Sequence, residues 1–370
     1  MRLTVVQILP ALNMGGVERG TLEVGRALVR AGHRSIVISA GGHLVDRLQA
    51  DGSEHIAWPL DQKSPLSLRF IPKLRRLLET EQVDILHARS RLPAWVSYLA
   101  WRGMRESNRP HFVTTVHGAN SVNWYSRIMT RGEKVIAVSG FIRDYILQHY
   151  PETPPDRISV IPRGIDPDEF PYGYQPSTSW QAGWQQQYPQ LQGQWLVTLP
   201  ARLTRRKGHE DFIEIMRKLH ADNIKAYGLV VGGVDPKHHA YAESLHALVK
   251  KHALENHILF TGQRDDLKDI MAISTLVISL STAPESFGRV ALEALSLGRP
   301  VIAYDHGGNA EILRQLYPTG LTPLRDTAAA AMLVRKLLLQ APAVSRENPF
   351  TLENMLAATI ATYTSLQQTH

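Results

Sequence analysis

Two carboxylates eight residues apart stand in the run Pro284-Glu285-Ser286-Phe287-Gly288-Arg289-Val290-Ala291-Leu292-Glu293-Ala294, which follows the apolar segment Leu276–Leu280 and opens a helix. Gly288 lets backbone approach a ligand. The amides of Phe287, Gly288, Arg289 and Val290 fall at the helix N-terminus, where unpaired N–H groups bind phosphate. Glu293, one turn inside, is placed to accept both hydroxyls of a ribose, and Glu285, in the loop, to accept hydroxyls of a second sugar. Taken singly, either glutamate also fits a solvated helix position or one favoured by the helix dipole.

A second motif, Pro200-Ala201-Arg202-Leu203-Thr204-Arg205-Arg206-Lys207-Gly208-His209, follows the apolar run Trp195–Leu199. Arg202 and Lys207 leave a strand end together, and Gly208 precedes a helix. Two fixed cations would stabilise a diphosphate as its bond to a sugar breaks, which is where binding energy accelerates a reaction. The bland reading of this loop is a basic surface.

The elements that must hold these groups alternate. Leu3–Leu9, Ser35–Ala40, Ser53–Trp58, Val83–Ala88, His111–Val116 and Lys134–Val138 have the apolar, β-branched character of strands. Val17–Arg30, Leu44–Ala50 and Leu66–Glu81 have helical spacing. The alternation stops between about Asp166 and Gln194, a stretch rich in Gln, aromatics, Pro and Gly, with room for one short helix. It restarts with strands Trp195–Leu199, Ala226–Val231, His257–Thr261, Thr275–Leu280 and Pro300–Tyr304. Helices Asp211–Ala221, Tyr241–Ala253, Leu267–Ser274 and Val290–Leu297 lie between them. Such alternation implies parallel, doubly wound sheets. The expected fold is α/β, two Rossmann-like domains facing each other across a cleft, with ligands at the carboxyl ends of the strands. The expected division is residues 1–165, an interdomain segment 166–194, and a second domain 195–347. A C-terminal helix within about 348–370 is expected to cross back to the first domain.

The length of 370 residues suits two cores better than one. Cysteine is absent, which excludes disulfides, thiolate nucleophiles and cysteine-held metals. No apolar run is long enough for a spanning helix, and the N-terminus has the character of a first strand, not a signal peptide. The charge is uneven. Residues 1–165 hold 22 basic and 14 acidic side chains, a net +8, and the remainder has a net −1. A basic half suits an anionic partner such as a membrane surface, a nucleic acid or a phosphorylated substrate, or serves only solubility.

The Glu285/Glu293 spacing, Arg202 with Lys207-Gly208, and the early Gly15-Gly16 pair together resemble the retaining GT-B glycosyltransferases of family 4 (group 1). That group includes bacterial lipopolysaccharide-core and other envelope-glycan transferases. The resemblance covers nearly the whole chain. Val160-Ile161-Pro162-Arg163-Gly164-Ile165-Asp166 with Phe170 is similar to the family's interdomain segment, with Arg163 where the family usually has Asn. Val230-Val231-Gly232-Gly233 and Phe260-Thr261-Gly262-Gln263 resemble two further strand ends.

The resemblance implies roles. Arg202 and Lys207 hold the donor diphosphate, Glu293 the ribose and Glu285 the transferred sugar. The backbone of Phe287, Gly288, Arg289 and Val290 touches phosphates and sugar, and Gln263 stands in the loop facing the base. Gly15 and Gly16 let a first-domain loop approach the donor. His117, in Thr115-Val116-His117-Gly118 at a strand end, matches a histidine that reaches the reacting sugar, although a lone strand-end histidine is commonly structural. Front-face attack is expected, with the departing phosphate helping to take the acceptor proton. No cofactor or metal is required. The donor is a nucleotide diphosphate sugar, with a UDP-sugar first and GDP- or ADP-sugars as alternatives.

The acceptor, a glycan or glycolipid, is expected on the first domain. Arg89 and Arg91, in His87-Ala88-Arg89-Ser90-Arg91, follow a strand and suit a phosphorylated or acidic glycan. Arg69, Lys73 and Arg76 share one face of the expected helix Leu66–Glu81, beside the apolar Phe70, Leu74, Leu77 and Leu78. A basic amphipathic helix of this kind can lie at an anionic membrane or simply pack with its basic face solvated. The resulting expectation is a glycosyltransferase of the hexosyl, retaining type. Its place is cytoplasmic, peripheral on the inner face of a bacterial inner membrane, in lipopolysaccharide or related envelope synthesis. A nucleotide-sugar 2-epimerase of the same form and a non-catalytic basic binding protein are the rival readings. Nucleic acid is disfavoured because the basic residues are not interleaved with an aromatic platform and no recognition motif is present. A nicotinamide enzyme is disfavoured because Gly-x-Gly-x-x-Gly follows neither first strand.

Overall fold

The computed structural model describes residues 2–13, 15–62, 64–234 and 239–368. The chain divides into two compact units, Met1–Pro162 with Glu353–His370, and Arg163–Leu352.

The first unit holds a sheet of β1 (Thr4–Ile8), β2 (Arg34–Ser39), β3 (Glu54–Ala57), β4 (Ile85–Ala88), β5 (His111–Val116), β6 (Lys134–Ala137) and β7 (Ile158–Val160). Their order is β3-β2-β1-β4-β5-β6-β7, with every neighbouring pair parallel. Successive side chains of β2 serve opposite faces: Ile36 and Ile38 join one core with Phe70, Leu74 and Phe112, and Val37 joins another with Leu22 and Leu48. Parallel strands covered on both faces have continuous apolar character, which is why most were legible in the sequence. The edge strand β7, three residues long, is too short to show a period.

The second sheet comprises β8 (Trp195–Pro200), β9 (Ala226–Val231), β10 (Ile258–Gly262), β11 (Leu276–Ser279), β12 (Val301–Tyr304) and the two-residue β13 (Leu321–Thr322). Its order is β10-β9-β8-β11-β12-β13, again parallel. The aromatic-rich stretch around residue 184 belongs to this unit. Its helix Thr178–Gln187 buries Trp184 against Leu191, Leu196, Leu229 and Ile270.

Two of the expected helices have other bounds. The segment expected as one helix, Leu66–Glu81, is a 3₁₀ turn, Pro65–Arg69, followed by an α-helix, Phe70–Thr80. The Ser64 hydroxyl accepts from the Leu66 amide and starts the turn. The tail helix begins later than the spacing suggested, at Leu352, and runs to Gln367. It belongs to the first unit, where the Tyr363 hydroxyl and His87 Nδ1 share a 2.6 Å hydrogen bond and Gln367 donates to Asp84 at 3.2 Å. Helices Gly307–Leu316 and Thr327–Gln340 come in addition to the expected elements.

Each sheet has one point where the winding reverses. In the first it lies between β1 and β4, in the second between β8 and β11. Open α/β sheets bind ligands outside the carboxyl ends of the strands at such points.

Candidate active site

A cavity of about 170 Å³ lies at the β8/β11 reversal of the second unit, lined by Pro200, Lys207, Ser281, Glu285, Gly288 and Asn309 among others. After β8 the chain makes a 3₁₀ turn, Arg205–Lys207, and enters the helix His209–Ala221 through Gly208 at φ 72°. A Cβ on Gly208 would run into the Leu280 carbonyl oxygen, so this turn packs on the post-β11 loop only because the residue is glycine. The Thr282 amide fixes the contact by donating to the Arg206 carbonyl at 2.8 Å.

That clasp brings Lys207 Nζ to 2.5 Å from Glu285 Oε1. The Ser281 hydroxyl donates to the same oxygen at 2.5 Å. Burial alone would push the Glu285 carboxyl up. The Lys207 charge and hydrogen bond, with the Ser281 hydroxyl and the Arg206 charge, outweigh burial and hold it below the usual carboxylate range. Glu285 is therefore a fixed acceptor, half-buried beside a cation.

Gly288, at φ 97°, starts the helix Arg289–Ser296, and a Cβ there would collide with Asn309 Oδ1. The first intrahelical bond runs from Leu292 N to Gly288 O, so the amides of Arg289 and Val290 precede the helical ladder beside the cavity. Asn309 is itself held, its Nδ2 donating to Ser279 Oγ at 2.9 Å.

The other expected donor residues are placed differently. Arg202 is exposed and does not line this cavity. Glu293 lies one turn into the helix, buried, and accepts from Arg289 Nε at 2.7 Å. The Phe287 ring is in the core, edge-on to Phe350, so only its backbone can serve a ligand. Gln263 is exposed in the turn after β10, close to Gly233. Sequence reasoning missed Ser281 and Asn309. The signal for Asn309 was the strand-end Asp305-His306-Gly307-Gly308-Asn309, a glycine pair like the two already noted, and that for Ser281 its place directly after the apolar run Leu276–Leu280.

A second cavity, about 320 Å³, lies at the β1/β4 reversal of the first unit. It gathers His117, Arg89 and Arg91 from two separate sequence observations, together with Glu18, Thr115 and Asn120. The glycines Gly15 and Gly16 are not among its lining residues; Gly15 precedes the helix Gly16–Arg30, and Glu18 in the first turn closes over it. Arg89 is 4% exposed, and its Nη1 donates to Gln7 Oε1 at 2.5 Å. Burial pushes the guanidinium down, offset in part by Tyr363, Glu23 and Glu18. Arg91 donates to Ser126 Oγ at 3.2 Å and lies over the Tyr125 ring. Below the cavity, His87 Nε2 shares a 2.7 Å hydrogen bond with the Thr115 hydroxyl.

Residues 14–169 match the family described as Glycosyltransferase Family 4, and residues 182–348 match Glycosyl transferases group 1. A glycosyltransferase from Rickettsia africae is 30% identical, with 100% of both chains covered and a TM-score of 0.85. The chain belongs to the group 1 (family 4) glycosyltransferases. Among curated relatives, the N-acetyl-alpha-D-glucosaminyl L-malate synthase of Bacillus anthracis is 26% identical over 91% of this chain and 88% of its own length. The lipopolysaccharide core biosynthesis mannosyltransferase LpsB of Rhizobium meliloti is 26% identical over 83% of this chain and 87% of its own. HepE of Anabaena, solved in complex with UDP and glucose, shares the fold at a TM-score of 0.78 and 20% identity, covering 98% of this chain and 100% of its own. The fold is thus GT-B, and the glycosyltransferase is a transferase by family.

The surface set Arg69, Lys73 and Arg76 is exposed, with Phe70, Leu74 and Leu78 buried behind it. Arg69 and Lys73 both lie over the Phe70 ring. Among the described residues no helix is long and apolar enough to cross a membrane.

Proposed function

We propose that this glycosyltransferase moves a hexosyl group from a nucleotide diphosphate sugar, a UDP-sugar first, to a glycan or glycolipid acceptor of a bacterial envelope, with retention. The observation that carries the reading is the convergence of Lys207, Ser281 and Glu285 on one cavity at a helix N-terminus. Phosphate charge is favoured there by Lys207 and by the amides of Arg289 and Val290. Glu285, an ionised acceptor, suits sugar hydroxyls. HepE, a fold neighbour, was solved with UDP and with UDP-glucose, which supports the choice of donor. The lipopolysaccharide-core relatives support the choice of acceptor class.

In the proposed step the bond from the sugar's anomeric carbon to the diphosphate oxygen breaks and its electron pair leaves with the diphosphate. The acceptor oxygen forms its bond on the same face, and its proton passes to the departing phosphate. Lys207 and the helix-start amides stabilise the charge that appears on the leaving group. His117, on the wall of the first-unit cavity, is the candidate there for contact with a sugar, and no metal is expected to take part.

Glu285→Ala separates binding from chemistry. Turnover is expected to fall at least a hundredfold while thermal stabilisation by the donor's nucleoside diphosphate persists. Turnover equal to that of the parent protein would sink the assignment. The anomeric proton coupling of the product, read by NMR, tests retention.

A further inference from the structure

We propose that the first-unit cavity is a subsite for an oxyanion, a phosphate or carboxylate carried by the acceptor, gripped by Arg89 and Arg91. The inference rests on the transfer reaction above and names the chemistry of its acceptor. A guanidinium has five N–H donors. Arg89 is almost wholly buried yet spends one of them on Gln7, and its Nε has no partner. Among the described residues no carboxylate comes within ion-pair distance of it. Glu18 and Glu23 act on it only from further off. Buried arginine is ordinarily paired or fully hydrogen-bonded, because an uncompensated charge in the interior is costly. This one lines a cavity instead.

The cavity also suits an anion geometrically. Arg91 is held by Ser126 Oγ and the Tyr125 ring, which fixes it without neutralising it. Ser90, Thr115, His117 and Asn120 add hydrogen-bonding groups to the wall, and Glu18 is the single carboxylate among the lining residues. Paired guanidinium forks match phosphate and carboxylate oxygens bidentately. Arg89 itself is positioned by backbone: it is the first residue after β4, its amide donating to the Ile8 carbonyl of β1 at 3.0 Å.

Calorimetric titration of the full chain tests this, with Lys207→Met in the background to weaken phosphate binding at the second-unit cavity. The probes are glucose 6-phosphate, glucuronate and glucose. The charged sugars are expected to bind at least tenfold more tightly than glucose. If the acceptor's group is a phosphate, glucose 6-phosphate outranks glucuronate, and the reverse order marks a carboxylate. Arg91→Gln is expected to weaken the preferred anion at least tenfold, and Glu18→Gln to strengthen it. Arg89→Lys, which keeps the charge and loses the fork, covers the case in which removing the buried charge unfolds the unit. The proposal is overturned by glucose binding as well as the charged sugars, by no charged sugar binding at millimolar concentration, or by folded Arg91→Gln and Arg89→Lys variants binding anions as the parent does. Donor binding is read separately on the parent chain. Its failure with anion binding intact overturns the transfer reading and leaves the anion site standing.

Discussion

Lys207 Nζ lies 2.5 Å from Glu285 Oε1, joining the turn after β8 to the loop after β11. The pair holds the carboxylate ionised and the cation aimed into one cavity. Its pH consequence has a definite sign. A carboxyl whose folded pKa lies below its unfolded value adds stability above the unfolded pKa and loses it as pH falls through the folded one. Glu285 is of this kind.

Lys207→Met removes the charge and hydrogen bond but leaves the burial, so the Glu285 pKa rises. The acid limb of kcat/KM, and the onset of acid unfolding, are expected at higher pH than in the parent chain. Donor affinity falls at least tenfold as well. An acid limb that stays in place would contradict the role given to the pair.

Gly288→Ala tests the other wall. A non-glycine residue at φ 97° costs about 1–2 kcal/mol, and collision with Asn309 adds to it. A loss above about 2 kcal/mol by urea titration is expected, with weaker donor binding. Asn309→Ala is expected to recover part of the collision in the double variant, whereas strict additivity would remove Asn309 as the cause.

The split between what the sequence disclosed and what it hid follows burial. Strands such as β5 and β9 were placed to the residue because they are rich in β-branched and apolar side chains and almost wholly buried on both faces. β7 and β13 were too short to show any period. Glu285 and Lys207 were legible as a pair of loops at strand ends, but their contact depends on Gly208 packing beneath Leu280. Arg202 and Lys207 had the same sequence credentials, and the turn Arg205–Lys207 brings only Lys207 to the cavity wall. The burial of Arg89 was illegible, since Tyr363 of the last helix packs near it from a remote part of the chain.

Tyr363 and His87 stand 276 residues apart and share a buried 2.6 Å hydrogen bond. Tyr363→Phe keeps the ring and deletes that bond. A loss of about 1–2 kcal/mol in unfolding free energy is expected. Because His87 also meets Thr115 on the cavity wall, acceptor KM is expected to rise with kcat nearly constant. A variant as stable as the parent would mean that the hydroxyl contributes nothing to docking the helix.

Chelation separates the proposed charge stabilisation from a metal-assisted one. Lys207 and the helix-start amides supply positive potential where the diphosphate would sit. Turnover in excess EDTA is expected to match the untreated rate. A loss restored by added magnesium or manganese would overturn metal independence.

The surface turn Pro65–Arg69 makes the last prediction. Leu66 is 68% and Leu68 51% exposed, beside the solvent-facing Arg69, Lys73 and Arg76. Apolar side chains next to a basic helix face suit the boundary of an anionic bilayer. Each cation near such a surface is worth about 1 kcal/mol, so Arg69→Gln/Lys73→Gln/Arg76→Gln is expected to weaken binding to phosphatidylglycerol vesicles roughly a hundredfold at low salt. Donor hydrolysis without acceptor should be unchanged, because none of the three lines either cavity. Parent-chain binding is expected to fall as salt rises. Vesicle binding indifferent to salt and to these substitutions would assign the basic face to solubility alone.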